Sequence, residues 1–348
     1  MSRSTRLISL AVAAMFVVLV ATLFAGNASA APPPQTPEQA NHERTVRYWT
    51  PDRVARATPR DILFDGPTRL PFAKPAGGGG GGGGGGTSAV TGASWTGGGD
   101  VRANTGKVLF TMAGGNWVCS GSVAQDTRGD VSLVLTAGHC VVDEATGIFA
   151  TNWMFIPDYQ SGGTFSTCGA TKYGCWTAKT LVTNDAWRGT GDFEEDYGFA
   201  VVGAGGKDAL NPSTQLDVAV GGAYQFNFTG TPAAASAFGY PAAGKYNGRT
   251  LTYCAGSVIA DPYGAATYGV KCDMTGGSSG GPWLAPFTNN EATDRLTSLN
   301  SYGYTAGPYK GYMFGPHFDA DTQATFEAAN SSAPDATTIT VTLTLSGL

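Results

Sequence analysis

His139, Asp196 and Ser279 are the residues of this 348-residue chain whose types and surroundings could do nucleophilic chemistry. A serine hydroxyl is a weak nucleophile at neutral pH, so it needs an imidazole to take its proton and donors to hold the oxyanion that forms. Ser279 lies in the glycine-dense run Gly277-Ser278-Ser279-Gly280-Gly281-Pro282. Without side chains in the way, the N–H groups of Gly277 and Ser279 can face one oxygen there. The chain has three histidines. His42 falls in a proline-rich leader, and His317 sits in an aromatic setting, Tyr312-Met313-Phe314-Gly315-Pro316-His317-Phe318, that suits packing. His139, in Thr136-Ala137-Gly138-His139-Cys140, follows an apolar run at 131–135 and is the candidate base. A carboxylate between base and nucleophile would hold the imidazole tautomer and stabilise its charged form. Asp192, Glu194, Glu195 and Asp196 all qualify by position. Asp196 directly precedes the apolar run 197–202, which can carry it inside, whereas the other three are expected in a solvated acidic loop.

These residues need a scaffold, and the sequence from 101 to about 314 reads as β-rich. Short apolar runs such as 108–110 and 131–135 are separated by Gly, Asn, Asp and Pro clusters. Charged residues make up 14% of the chain, against about 25% in ordinary domains, which suits a compact secreted β protein. A helix is expected over 322–329. The alternation of Thr with Ile, Val or Leu over 337–345 has the period of a half-buried strand, and two places are open to it: pairing with a sheet edge, or disorder.

Arg3 and Arg6, an apolar stretch to about residue 25 and Ala28-Ser29-Ala30 together predict a signal peptide over 1–30. Residues 31–76 read as a propeptide, in which Thr50 before Pro51 predicts a capped short helix. The ten glycines of 77–86 form a flexible tether. A folded domain over 87–330 and a tail over 331–348 complete the organisation. Export implies an extracellular location and an oxidising compartment, where Cys119, Cys140, Cys168, Cys175, Cys254 and Cys272 can all pair. Fifteen connectivities are open to six cysteines. No C-x-x-C spacing occurs and histidine is scarce, so neither a metal site nor a cofactor is expected.

Residues 31–86 carry seven Lys/Arg against five Asp/Glu, a net +2, and residues 87–348 carry twelve against twenty-one, a net −9. An acidic body argues against nucleic acid or an anionic membrane as a standing partner. A monomer acting on protein or peptide is the expectation, and the positive leader could lean on the acidic body.

Thr136 to Cys140, Asp196 to Val202 and Gly277 to Pro282 resemble the chymotrypsin/trypsin-like serine peptidase family. The likeness extends from about 101 to 330, and 272–283 is similar to secreted bacterial members. It implies two antiparallel six-stranded β-barrels with the active site between them. It also implies a secreted serine endopeptidase working through a His-Asp-Ser triad and an acyl-enzyme, and a Cys119–Cys140 disulfide. Nearest-neighbour pairing then leaves Cys168 with Cys175 and Cys254 with Cys272. Ser301-Tyr302-Gly303 matches the family's substrate-pairing strand, and Asp273, six residues before Ser279, stands where trypsin-like members carry an acidic pocket base for Arg or Lys. Asn300 stands where glutamyl-specific members carry histidine. Ser278 replaces the aspartate that receives a new N-terminal ammonium in trypsin-like members. The oxyanion hole is therefore expected to form without that switch, and the leader to act as a folding aid or steric cover.

Two other readings share these residues. Gly277-Ser278-Ser279-Gly280-Gly281 also satisfies G-x-S-x-G, the nucleophile elbow of an α/β-hydrolase esterase, with His317 downstream as its base. That elbow needs a following helix, yet Pro282 and Trp283 come next, and no βαβ alternation appears. An inactive protease-like scaffold serving as a binding protein is the third reading, opposed by the presence of every required side chain.

Overall fold

The computed structural model of the chain describes residues 35–64, 89–263, 265–332 and 338–343. The expected signal peptide and the polyglycine run lie outside these residues. Six antiparallel strands, Thr105–Met112, Gly115–Ala124, Ser132–Thr136, Gly198–Val202, Trp176–Asn184 and Thr151–Pro157, pair in that order, and the last returns to the first to close a barrel. Ser132–Thr136 and Gly198–Val202 are buried along their whole length, so both of their faces can be apolar and strict alternation is absent from their sequences.

A second set of six antiparallel strands follows the order Arg295–Leu299, Pro282–Leu284, Ala234–Gly239, Thr252–Ala260, Thr267–Lys271 and Tyr312–Pro316. Its two edges are drawn together where Ser298 Oγ donates to Pro316 O at 2.8 Å. The short strand Tyr302–Tyr304 pairs with Tyr312–Pro316. The double-barrel expectation holds, and it removes the α/β-hydrolase reading, which requires a parallel sheet with crossover helices. His317 lies with its ring 3.4 Å from that of Tyr268, and burial lowers its pKa to about 4. Its place is in packing.

The three disulfides are Cys119–Cys140, Cys168–Cys175 and Cys254–Cys272, as expected. The late helix spans Ala320–Asn330 and is capped by Asp319. The unplaced tail contributes Thr338–Val341, which adds in parallel to Trp176–Asn184. Among the described residues no helix is long and apolar enough to cross a membrane.

In the leader, Thr50 caps Pro51–Arg56 as expected. A longer helix, Pro37–Tyr48, precedes it; Thr36 and Gln39 form a capping box there, with proline in the first turn. That T-x-x-Q signature is legible in the sequence. The leader packs on the first barrel: Trp49 is buried and its Nε1 donates to Asn152 O, while Tyr48 Oη donates to Asn116.

Candidate active site

His139 occupies a single 3₁₀ turn, Gly138–Cys140, at the end of the buried strand Ser132–Thr136. The Cys119–Cys140 bridge ties this turn to the neighbouring strand. Asp196 sits just before Gly198–Val202, the next strand of the barrel, so pairing of the two strands brings acid and base together. Asp196 Oδ1 accepts from the His139 backbone N–H at 2.8 Å and Oδ2 faces Nδ1 at 2.8 Å. Both side chains are fully buried. Ser301 Oγ also donates to Asp196 Oδ2. One carboxylate therefore fixes the backbone and the ring of His139 together, leaving Nε2 as the free nitrogen.

Asp192 and Glu195 correct the expectation of a solvated acidic loop. Asp192 caps the turn Phe193–Glu195. Glu195 receives the Tyr197 hydroxyl, and burial pushes its pKa up to about 9, with Asp319, Asp321 and Asp192 adding to the rise.

Ser279 comes from the turn between the second barrel's strands. Gly280 has φ +80°, and a Cβ there would lie 2.2 Å from Thr136 Oγ1, so a side chain is excluded where the two barrels meet. Gly277, at φ +93°, would place a Cβ 2.9 Å from that of Ala242. The peptide between Gly276 and Gly277 is pinned from behind, because Gly276 O accepts from Ala242 N at 2.8 Å. Its N–H consequently points forward, toward the Arg60 carbonyl at 3.3 Å. The following peptide is held by Ser120, whose Oγ donates to Gly277 O and accepts from Tyr240 N at 2.9 Å. Ser278 has no ion pair to make; its Oγ donates to Thr275 O at 2.8 Å. Asn300 completes the support: Trp283 Nε1, a donor only, fixes the amide orientation, and Asn300 Nδ2 donates to Phe238 O and Ser278 O. Nothing in the local sequence of Ser120 marks it for this task, and Asn300 was notable only for its place in the family pattern.

The leader runs through the site. Ser279 Oγ donates to Arg60 O at 3.1 Å, and His139 Nε2 is buried with no hydrogen-bond partner among the described residues. Asp61 Oδ2 accepts from Gly276 N at 3.0 Å, and burial raises its pKa. The Arg60 guanidinium reaches Glu144 at 2.7 Å and Asp143 at 3.7 Å, on the loop after His139. The leader's charge does lean on the acidic body here.

Gly303 donates its N–H to Ile62 O at 3.2 Å, so the strand expected to pair with peptide does so with the leader. Asp273 is already partnered. Its carboxylate is engaged by Lys245 at 2.6 Å and by the Tyr246 hydroxyl, and a substrate cation would have to displace Lys245.

The chain is similar to a thermostable serine protease, AL20, from an extremophilic microorganism: 36% identity, 67% of this chain and 100% of that one covered, TM-score 0.58. The protease Anisep from Arthrobacter nicotinovorans is also similar at 36% identity, with 70% of this chain and 100% of that one covered and a TM-score of 0.58. A Glu endopeptidase, at 16% identity with 70% and 97% covered and a TM-score of 0.50, shares the fold. No family model and no curated protein matches the sequence.

Proposed function

The chain belongs to the chymotrypsin/trypsin-like serine peptidase family, a family of serine endopeptidases, and from that membership we propose that His139, Asp196 and Ser279 are its triad. The observation that carries the assignment is the buried Asp196–His139 pair, with Nε2 left free for the proton of a serine across the barrel interface. His139 takes the Ser279 proton as the oxygen attacks the peptide carbonyl carbon. The oxyanion is held by the N–H groups of Gly277 and Ser279. His139 then gives its proton to the departing amine, leaving an acyl-serine that water hydrolyses by the same steps in reverse. Asp196 holds the Nδ1–H tautomer and offsets the charge that the ring gains.

Secretion and removal of the leader belong to this reading, supported by the three disulfides and by the leader's position over Ser279. Residues 31–76 serve as propeptide, joined by the glycine tether to the peptidase domain. Ser301 and Gly303 align the substrate backbone. A pocket role for Asp273 requires release of Lys245.

The test is phosphonate labelling of Ser279 together with amide hydrolysis by His139→Ala and Ser279→Ala. Both variants should lose several orders of magnitude of activity, and His317→Ala should retain it. A fully active His139→Ala protein sinks the mechanism; absence of labelling in the leader-free enzyme favours an inactive, binding-only scaffold.

A further inference from the structure

The leader crosses the catalytic serine in contact with both flanking peptide edges, and at both edges it runs parallel. Thr58 and Pro59 align with Trp117 and Val118 in parallel register, and Arg60 N donates to Val118 O at 3.0 Å. Beyond the serine, Leu63 and Phe64 align with Gly303 and Tyr304, again in parallel. Phe64 O accepts from Thr305 N at 2.9 Å, and its ring packs on Phe193, Tyr302 and Tyr304. Between the two edges the Arg60 carbonyl reaches both Ser279 Oγ and Gly277 N.

A peptide strand can cross such a cleft in two directions, and they are chemically different. Either one can set a carbonyl oxygen before Gly277, but they place the following nitrogen, which must receive the proton from His139, on opposite sides of that carbonyl. Here the chain that follows the Arg60 carbonyl continues on the Gly276 and Gly303 side, with Asp61 Oδ2 on Gly276 N and Ile62 O on Gly303 N, while His139 is tied through Cys140 and Cys119 to the Val118 side. The proton geometry is also unproductive, because the Ser279 hydroxyl donates to the Arg60 oxygen and not to His139 Nε2.

We propose, resting on the peptidase reading above, that residues 57–64 are an inhibitory strand threaded backwards through the active site. It occupies the oxyanion hole and the substrate-pairing strand yet resists cleavage at Arg60–Asp61. Arg60 anchors one end on Glu144 and Asp143, with its guanidinium 5.2 Å from the Trp117 ring centroid, and Phe64 anchors the other. The substrate that displaces it runs antiparallel to the same two edges.

The experiment uses the full chain. Thr58→Cys with Trp117→Cys should form a disulfide on mild oxidation, and Leu63→Cys with Trp117→Cys should not. Crosslinking of the second pair in place of the first, or of both equally, overturns the direction. Arg60→Glu sets a carboxylate against Asp143 and Glu144 and should raise the initial rate on an added peptide substrate at least tenfold over the unsubstituted full chain. Equal, measurable rates overturn the inhibitory role alone. If Arg60→Glu neither turns over peptide nor takes a phosphonate on Ser279, the peptidase reading fails and the inhibitory role falls with it, while the cysteine pairs still decide the threading. Mass analysis of the unsubstituted chain should find the Arg60–Asp61 bond intact, and a fragment ending at Arg60 contradicts resistance.

Discussion

Ser301 Oγ donates to Asp196 Oδ2, the same oxygen that faces His139 Nδ1. A residue expected to align substrate thereby also holds the carboxylate that, in the triad proposed above, orients the base. Asp196→Asn should lower kcat by about 10⁴, since an amide in that place favours the wrong imidazole tautomer. Ser301→Ala removes one hydrogen bond to a charged group, a loss of about 1.5–3 kcal/mol, and should lower kcat roughly ten- to hundredfold. Glu195→Gln should leave kcat within a fewfold. Steady-state kinetics of the leader-free enzymes check the order, and equal damage from Asp196→Asn and Glu195→Gln would show that the wrong carboxylate was assigned.

Ser120 couples the Tyr240 N–H to Gly277 O behind the proposed oxyanion hole. In Ser120→Ala a buried backbone donor loses its partner, at a cost of about 1–3 kcal/mol, and the 277–278 peptide is freed. The expected result is a fall in kcat of at least tenfold with KM within twofold, and a lower melting temperature. A change confined to KM would place Ser120 outside the support of the hole.

Asp273 already has a cation. With Lys245 at 2.6 Å and Tyr246 on its carboxylate, it offers substrate no free charge. Asp273→Asn should leave the preference at the residue before the cleaved bond unchanged in a peptide-library profile. Loss of an Arg or Lys preference would restore the acidic-pocket role implied by the family pattern.

His42 fastens the leader helix to the first barrel, with Nδ1 3.1 Å from Thr177 Oγ1 and the ring buried. Burial lowers its pKa from 6.5 to about 4. The neutral ring is the docked form, so its contribution to docking is complete above about pH 6.5 and is lost as pH falls toward 4. The ion pair of Glu38 with Lys179, at 3.0 Å, lies beside it on the same contact. Hydrogen exchange of the amides in Pro37–Tyr48 should rise across that interval, corrected for intrinsic rates. His42→Gln should flatten the rise; an unchanged profile would assign the pH dependence to another group.

On the proposed removal of the leader, the new N-terminus should matter little, because Ser278 is satisfied by Thr275 O and the Gly277 peptides are braced by Ala242 and Ser120. Mature forms starting at different positions between 87 and 95 should have similar turnover, and acetylating the terminus should change it little. A sharp requirement for one free terminal residue would contradict this account.

The sequence by itself determined what is local. His139 in its turn, Ser279 among glycines, Asp196 before an apolar strand and the cap at Thr50 could be read because each depends on neighbours within a few residues, where backbone freedom and side-chain capping act directly. The nearest-neighbour disulfides and the helix at Ala320–Asn330 were legible for the same reason. Tertiary structure alone decided what depends on remote partners. Glu195 looked like a solvated acid until Tyr197 and the region of Asp319 closed over it, and burial in a low dielectric then favoured its neutral form. Ser120 became a support of the turn at 277–279 only when the two barrels met, and Asn300 only when the strands of the second barrel paired, since their partners Gly277 and Phe238 lie 157 and 62 residues away. The direction of the leader was equally hidden. Composition and spacing are the same for a strand read either way, and parallel or antiparallel pairing is chosen by where its ends, Trp49 in the first barrel and Phe64 against Tyr302, are anchored.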